Sequence, residues 1–289
     1  MTVTQQQLEE LIANMLAPNT EVVKGATDAI TKLLVQPEIT PLMLTIISTC
    51  PKPEIRQMAA VLLRKKVAKV WRKLQPEIQN QVLPVLIDAI NKESVPTVAT
   101  AVSEILTVLG KLTIPIGKWP ELLPQIIRWS RAPSETMKEI AFTLIIELVQ
   151  YYMKTPNPEL MEGLFKLVCD TLSDQSVSFG VKSISMNVLG VIANYIESPE
   201  ALIQYERFVP IIVDLLKECV RTENEEDYSL VIDVIDGLLE DFAELEEYDL
   251  VMQKIASPIA ALALETAKSK MVSAQIRQRA LLFINTFVC

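Results

Sequence analysis

Five prolines set the register of this chain. Pro41, Pro84, Pro124, Pro210 and Pro258 each stand at the head of an apolar run, in "TPLMLTII", "LPVLIDAI", "LPQIIRWS", "VPIIVDLL" and "SPIAALAL", at spacings of 43, 40, 86 and 48 residues. The long interval is two periods. Its missing proline would fall near Gly163 in "LMEGLFKLVCDTL", which keeps the amphipathic pattern without a proline kink. Second helical segments lie between these runs, among them "SVPTVATAVSEILTVLGKL" and "NEEDYSLVIDVIDGLLEDFAEL", with apolar residues three and four apart. A helical hairpin of ~40 to 47 residues is therefore repeated, and about seven fit the chain. Ile55-Arg56-Gln57 returns as Ile276-Arg277-Gln278, 221 residues later, five periods on. Second helices are expected to begin near Asn19, Pro53, Ser94, Pro133, Gln175, Glu223 and Val272.

Such a pattern predicts an all-α solenoid, because one hairpin is too small to bury its apolar face and must stack on its neighbours. Composition agrees: half of the 289 residues are hydrophobic and only 7 are glycine. The N-terminus has no basic segment followed by an apolar one, and no charge-free apolar run reaches the ~20 residues that span a bilayer, so neither export nor membrane insertion is indicated. Cys50, Cys169, Cys219 and Cys289 lie far apart without a CxxC pair, which suggests neither a zinc site nor a disulfide framework, and fits a reducing cytosol or nucleus. The chain has no histidine, which removes Ser-His and Cys-His pairs and histidine-ligated metals together. Gly110, Gly117 and Lys118 in "GKLTIPIGKW" only faintly suggest a phosphate loop: the spacing is wrong and no Ser or Thr follows the lysine, so an inter-repeat turn is the better reading. No catalytic residue, metal or cofactor is expected, and the chain reads as a non-enzyme.

A proline in the first helix, an Asp four residues on (Asp88 after Pro84, Asp214 after Pro210) and Ile-Arg-x-x-Ala in the second resemble the HEAT repeat. That resemblance implies a right-handed superhelix of about seven hairpins, with first helices on the convex side and second helices on the concave side. The closing segment, "AQIRQRALLFINTFVC", is apolar without a polar capping unit, so the chain is expected to belong to a longer stack.

The second repeat permits a narrower reading. "IRQMAAVLLRKKVAKVWRKL" resembles the N-terminal signature of the importin-β (karyopherin-β) superfamily, in which Arg-x-x-Ala, an apolar stretch, paired basic residues and a Trp follow one another. With "MTVTQQQLEELIANMLAPNTEVVKGATDAITKLL" before it and "KWPELLPQIIRWS" after it, the likeness is to the importin-4 type. It is specific over residues 1–130, the importin-type repeats, and loose over residues 131–289, further repeats that end within the solenoid. The resemblance implies a nuclear transport receptor of the cytoplasm and nucleus. Its N-terminal repeats would take the GTP form of the small GTPase Ran, its convex face the phenylalanine-glycine repeats of nucleoporins, and its concave face basic nuclear localisation signals of cargo such as histones or ribosomal proteins. The alternative is a static HEAT scaffold, such as a phosphatase regulatory subunit or coat adaptor.

Two charged helices are the candidate sites. From Lys52 to Lys73 there are eight basic residues and one Glu, in a chain of net charge −9. On a helix Leu63, Val67, Val70 and Leu74 form an apolar stripe, and Lys65, Lys69 and Arg72 share the opposite face. Nucleic acid fits poorly, since no aromatic ladder accompanies the charge, and a membrane surface would need the apolar face that the repeat consumes. A protein partner and a merely solvated face remain. Arg64, Lys65, Lys66, Lys69 and Arg72 are the candidate Ran contacts on the resemblance. Residues 218–249 hold thirteen acidic residues and one basic one, and Glu226, Asp233, Asp236, Glu240 and Glu244 are the candidate cargo contacts, opposite Val231, Ile235, Leu238 and Phe242. Trp71, Trp119 and Trp129 are expected to be packed between helices.

Overall fold

A computed structural model describes residues 3–154, 157–195, 203–242 and 252–288. Among these residues there is no β-strand, and fourteen α-helices pair into seven hairpins. Two compact units, Met1–Tyr152 and Met153–Cys289, divide them. In the first unit α1 (Gln5–Met15) pairs with α2 (Thr20–Leu33), α3 (Ile39–Thr49) with α4 (Pro53–Val70), α5 (Pro76–Lys92) with α6 (Pro96–Thr113), and α7 (Leu122–Trp129) with α8 (Glu135–Tyr152). In the second, α9 (Pro158–Ser173) pairs with α10 (Phe179–Ala193), α11 (Val209–Arg221) with α12 (Glu225–Phe242), and α13 (Ser257–Lys268) with α14 (Ala274–Val288).

Helix starts follow local chemistry. Thr4 closes a capping box with Gln7, and Asn19, Asn157 and Ser178 accept hydrogen bonds from the first turns of α2, α9 and α10. Pro53, Pro76, Pro96 and Pro158 occupy first-turn positions where no amide is needed. The expected start near Gln175 is too early. Asp174 instead accepts from the Ser176 backbone amide and hydroxyl, holding a turn that delays α10 to Phe179.

The register prolines act in two ways. Pro84 alone lies well inside its helix. Pro41, Pro124, Pro210 and Pro258 fall in the first turns of α3, α7, α11 and α13. Before Pro210 the chain is a 3-10 helix, Gln204–Phe208, and before Pro258 a π-helical turn, Met252–Ala256. A proline has no N–H for the carbonyl four residues back, and in both places that carbonyl belongs to the irregular turn.

The second helices form the tighter row. In the first unit α4 packs on α6 and α6 on α8, and α4 and α6 are closer neighbours than α3 and α5. In the second unit α10 packs on α12 and α12 on α14. Residues 96–116 are long and apolar enough to cross a membrane by composition, but α6 lies among α4, α5 and α8, with Val98, Val102, Ile105, Leu106 and Leu109 buried against them. The second unit has an aromatic cluster: Phe165 meets Tyr205 edge to face at 5.1 Å and Phe208 at 5.8 Å, and the Tyr205 hydroxyl donates to the Leu189 carbonyl at 2.7 Å.

All three tryptophans are buried, as expected. Trp71 lies in a 3-10 turn, Trp71–Lys73, and meets Trp119 edge to face with centroids 5.8 Å apart. Trp129 donates its indole N–H to Asn91 at 2.7 Å. Trp71→Ala is expected to lower stability by about 3–5 kcal/mol, read from urea unfolding by circular dichroism. Lys69→Ala, on the exposed side of α4, should stay within about 0.5 kcal/mol.

Candidate functional site

Within each unit, polar contacts tie hairpins to their neighbours. Arg56 on α4 donates from Nε and Nη2 to both oxygens of Glu93 at 2.8 Å, and from Nη1 to the Cys50 carbonyl at 2.8 Å. The pair is nearly sealed, with side chains 14% and 6% exposed. Burial alone would push the Glu93 carboxyl up, but hydrogen bonds from Arg56 and from the backbone amides of Val95 and Ser94 outweigh it and hold Glu93 below its ordinary value. Arg64 pairs with Glu104 on α6, and Lys111 on α6 pairs with Glu147 on α8 at 2.5 Å. In the second unit Arg207 pairs with Glu162 at 3.0 Å and Lys254 with Glu206 at 2.7 Å. These partners stand 36 to 48 residues apart, one repeat each time.

Against that background the basic face of α4 is distinct. Leu62, Leu63, Val67 and Val70 are buried, and Lys65, Lys69 and Arg72 are exposed, as the sequence pattern requires. The helix ends at Val70, so Arg72 projects from the 3-10 turn that follows. Arg64 is engaged by Glu104, and Lys66 is half-buried. Lys65, Lys69, Arg72 and the neighbouring Lys73 have no ion-pair or hydrogen-bond partner among the described residues. By contrast Lys111, the basic residue of α6, and Lys138, that of α8, are both paired, Lys138 with Glu135 at 3.0 Å. Lys73 was missed because it lies beyond the helical stripe. The Arg64 pairing could have been anticipated, since an opposite charge stands one repeat away.

The acidic face of α12 is partly consumed. Val231, Ile235 and Leu238 are buried, and Glu226, Asp233 and Glu240 are exposed. Arg279, on α14, donates to Asp233 at 2.5 Å and to Asp236 at 2.7 Å. Burial pushes the Asp236 carboxyl up against the opposing pull of Arg279, and its Oδ1 is buried without a hydrogen-bond partner among the described residues. Asp233 and Asp236 thus tie two hairpins together, and Glu226 and Glu240 have no ion-pair or hydrogen-bond partner among the described residues. Glu244 and the Phe242 side chain lie outside the described residues.

Gly110 is packed inside α6, and Gly117 sits in a turn at a positive φ of 71°. Cys50, Cys169 and Cys219 are free thiols, and burial pushes Cys219 up to about 12, so it is not an activated nucleophile.

Fold and surfaces together define a HEAT-repeat solenoid whose charged faces are the features left over after its hairpins are tied. Residues 26–92 match the family model described as Importin-beta N-terminal domain, and residues 96–247, more than half of the chain, match the one described as IPO5-like, TPR repeats. The chain belongs to the karyopherin-β, or importin, family. It is similar to Importin-4 of Mus musculus, 26% identical over 275 residues that make up 95% of this chain and 24% of that protein. It is also similar to the probable importin subunit beta-4 of Schizosaccharomyces pombe, 30% identical over 145 residues, 50% of this chain and 14% of that one. The crystal structure of Kap121p shares the fold, with a TM-score of 0.76 at 15% identity over 98% of this chain and 26% of its own. The chain thus spans about a quarter of the length of the mouse relative.

The Arg56–Glu93 pair gives a test of the ties. The folded Glu93 titrates below its ordinary value of 4.5, so its contribution is complete above that pH and is lost as the pH falls through the folded value. Glu93→Gln leaves a buried guanidinium without its carboxylate and is expected to cost about 3–5 kcal/mol at neutral pH. The gap to the unaltered protein should narrow below pH 4.5, read from urea midpoints at successive pH values.

Proposed function

We propose that this chain is the N-terminal part of a nuclear import receptor that passes between cytoplasm and nucleus, and that the exposed face of α4 receives the GTP form of Ran. The observation that carries this reading is the stripe of Lys65, Lys69, Arg72 and Lys73, unpaired among the described residues, next to helices α6 and α8 whose Lys111 and Lys138 are paired. Unpaired cations on a rigid helix keep their full field for a partner and lose no internal ion pair on binding. Family membership is what makes Ran the partner inferred, and Arg64 and Lys66 would contribute from the flanks.

Glu226 and Glu240, with the exposed edge of Asp233, would draw lysine- and arginine-rich localisation signals of cargo such as histones or ribosomal proteins, and Glu244 would extend that face. The first helices would offer sites for the phenylalanine-glycine repeats of nucleoporins. Kap121p has been crystallised bound to Nup53p and to Pho4p, which supports a protein-binding role for this fold. Because each hairpin touches only its neighbours, curvature changes cost little, and two partners that favour different curvatures would compete without sharing a contact.

Titration calorimetry should find binding to GTP-locked Ran and little to the GDP form. Equal affinity for the two would overturn the reading. Lys65→Glu, Lys69→Glu and Arg72→Glu together should weaken the GTP complex at least tenfold, about 1.4 kcal/mol, with helical content unchanged. For the acidic face, a lysine-rich localisation peptide should bind and weaken steeply as salt rises, since exposed charges are screened beyond ~8 Å at physiological ionic strength. Glu226→Gln with Glu240→Gln should reduce that binding, and unchanged binding would leave those residues a solubility device.

A further inference from the structure

α14 repeats the opening of α4. Ile276-Arg277-Gln278 stand where Ile55-Arg56-Gln57 stand 221 residues earlier, and Ala280 stands where Ala59 does. On α4 this stretch is satisfied on every side. Arg56 reaches forward to Glu93, the residue that follows α5, and on its stripe Ala60 and Leu63, four and seven residues along, are 0% and 2% exposed. The Glu93 carboxylate also accepts from the Val95 amide just before α6. It therefore sits in the turn between the two helices of the next hairpin.

On α14 the same positions are left unsatisfied. Nε of Arg277 is buried without a hydrogen-bond partner among the described residues. Leu281, the equivalent of Ala60, is 50% exposed, and Ile284, the equivalent of Leu63, is only half-buried. Leu282 is 54% exposed where Val61 of α4 is half-buried. The inner stripe is complete: Ile276, Ala280 and Phe283 are buried, and α14 packs on α13 and α12. Arg279 is spent backwards, on Asp233 and Asp236. Only the side that faces forward from Arg277, the side that α4 turns to its next hairpin, carries a buried donor and bare leucine together.

Charge and shape narrow what covers this face. α14 has no carboxylate of its own, so a second copy presenting its α14 would set arginine against arginine. A small anion would meet Arg277 and leave the leucines in water. A helical hairpin with an acidic residue in its turn answers both needs, as the α5 and α6 hairpin does for α4. We propose that the outer face of α14 is a docking surface for such a hairpin, seated as α5 and α6 are seated on α4, with Arg277 as the anchor for its turn carboxylate. The surface continues an existing interface, the row in which α10 packs on α12 and α12 on α14. The inference rests on the internal register of the chain and is independent of the Ran reading.

The test extends the whole chain by a second copy of residues 69–113, which hold α5 and α6, joined directly after Cys289, the equivalent of Ala68. Hydrogen–deuterium exchange of peptides within residues 274–288 should slow about tenfold or more relative to the unextended chain. Glu93→Gln in the added copy and Arg277→Met should each remove most of that slowing, and the two together no more than either alone. In the unextended chain Arg277→Met should leave the urea midpoint unchanged or raise it, because the guanidinium there has no partner to lose, whereas Arg56→Met should lower it. Exchange unchanged by the extension, slowing that survives Glu93→Gln, or a loss from Arg277→Met in the unextended chain as large as that from Arg56→Met would overturn the proposal. A parallel extension behind Leu281→Ala and Leu282→Val, the residues that α4 has at those places, checks that the added hairpin can fold. Slowing in that variant alone would equally overturn the proposal, since α14's own leucines would then not fit such a hairpin.

Discussion

The close row of second helices is the constraint on which the rest of the structure depends. α6 shows it most clearly, because it must bury itself against α4 on one side and α8 on the other. Gly110 makes this possible: a Cβ there would stand 3.0 Å from both methyls of the buried Leu148, so α8 approaches α6 as closely as a glycine allows. A hairpin of this size has no core of its own, and its stability is a sum of such shared faces. Once the row is fixed, long polar side chains on one helix come within reach of the helices one repeat away. That is why Arg56, Arg64, Lys111 and Arg279 all find partners at that distance.

Exposed charge follows by subtraction. Charges that lie where the neighbouring helix offers an opposite charge are spent on cohesion, and those that face nothing stay exposed. α4 and α12 illustrate the two outcomes. On α4 Arg56 and Arg64 of the basic cluster are spent, leaving Lys65 and Lys69, with Arg72 in the turn just after the helix, exposed together. On α12 Arg279 engages two neighbouring carboxylates, and the acidic face is thinner than its composition suggests. Surface pairs of this kind contribute little each, so their value lies in fixing the register of hairpins more than in raising stability.

The repeat was legible in the sequence because burial imposes a period that prolines and apolar residues must both obey. Seven hairpins, the pairing of helices and the burial of Trp71, Trp119 and Trp129 could all be read that way. The exposure of Lys65 and Lys69 followed from the 100° step of a single helix. What could not be read was any property set by two hairpins at once. The capture of Asp233 and Asp236 by Arg279 depends on how α12 and α14 are apposed, and Trp119 and Trp71 face each other only because a residue between Gly117 and Leu122 takes a left-handed conformation. The late start of α10 depends on a side-chain turn at Asp174, which periodicity does not encode.

Hydrogen–deuterium exchange of this chain alone, with GTP-locked Ran and with GDP-bound Ran tests the central claim most directly, because it locates the contact and does not rely on any substitution. Peptides covering residues 61–73 should gain protection with the GTP form and match the free chain with the GDP form, while peptides from α3 on the opposite row stay unchanged. Protection that is the same in both nucleotide states, or that leaves residues 61–73 untouched in the GTP complex, would contradict the account.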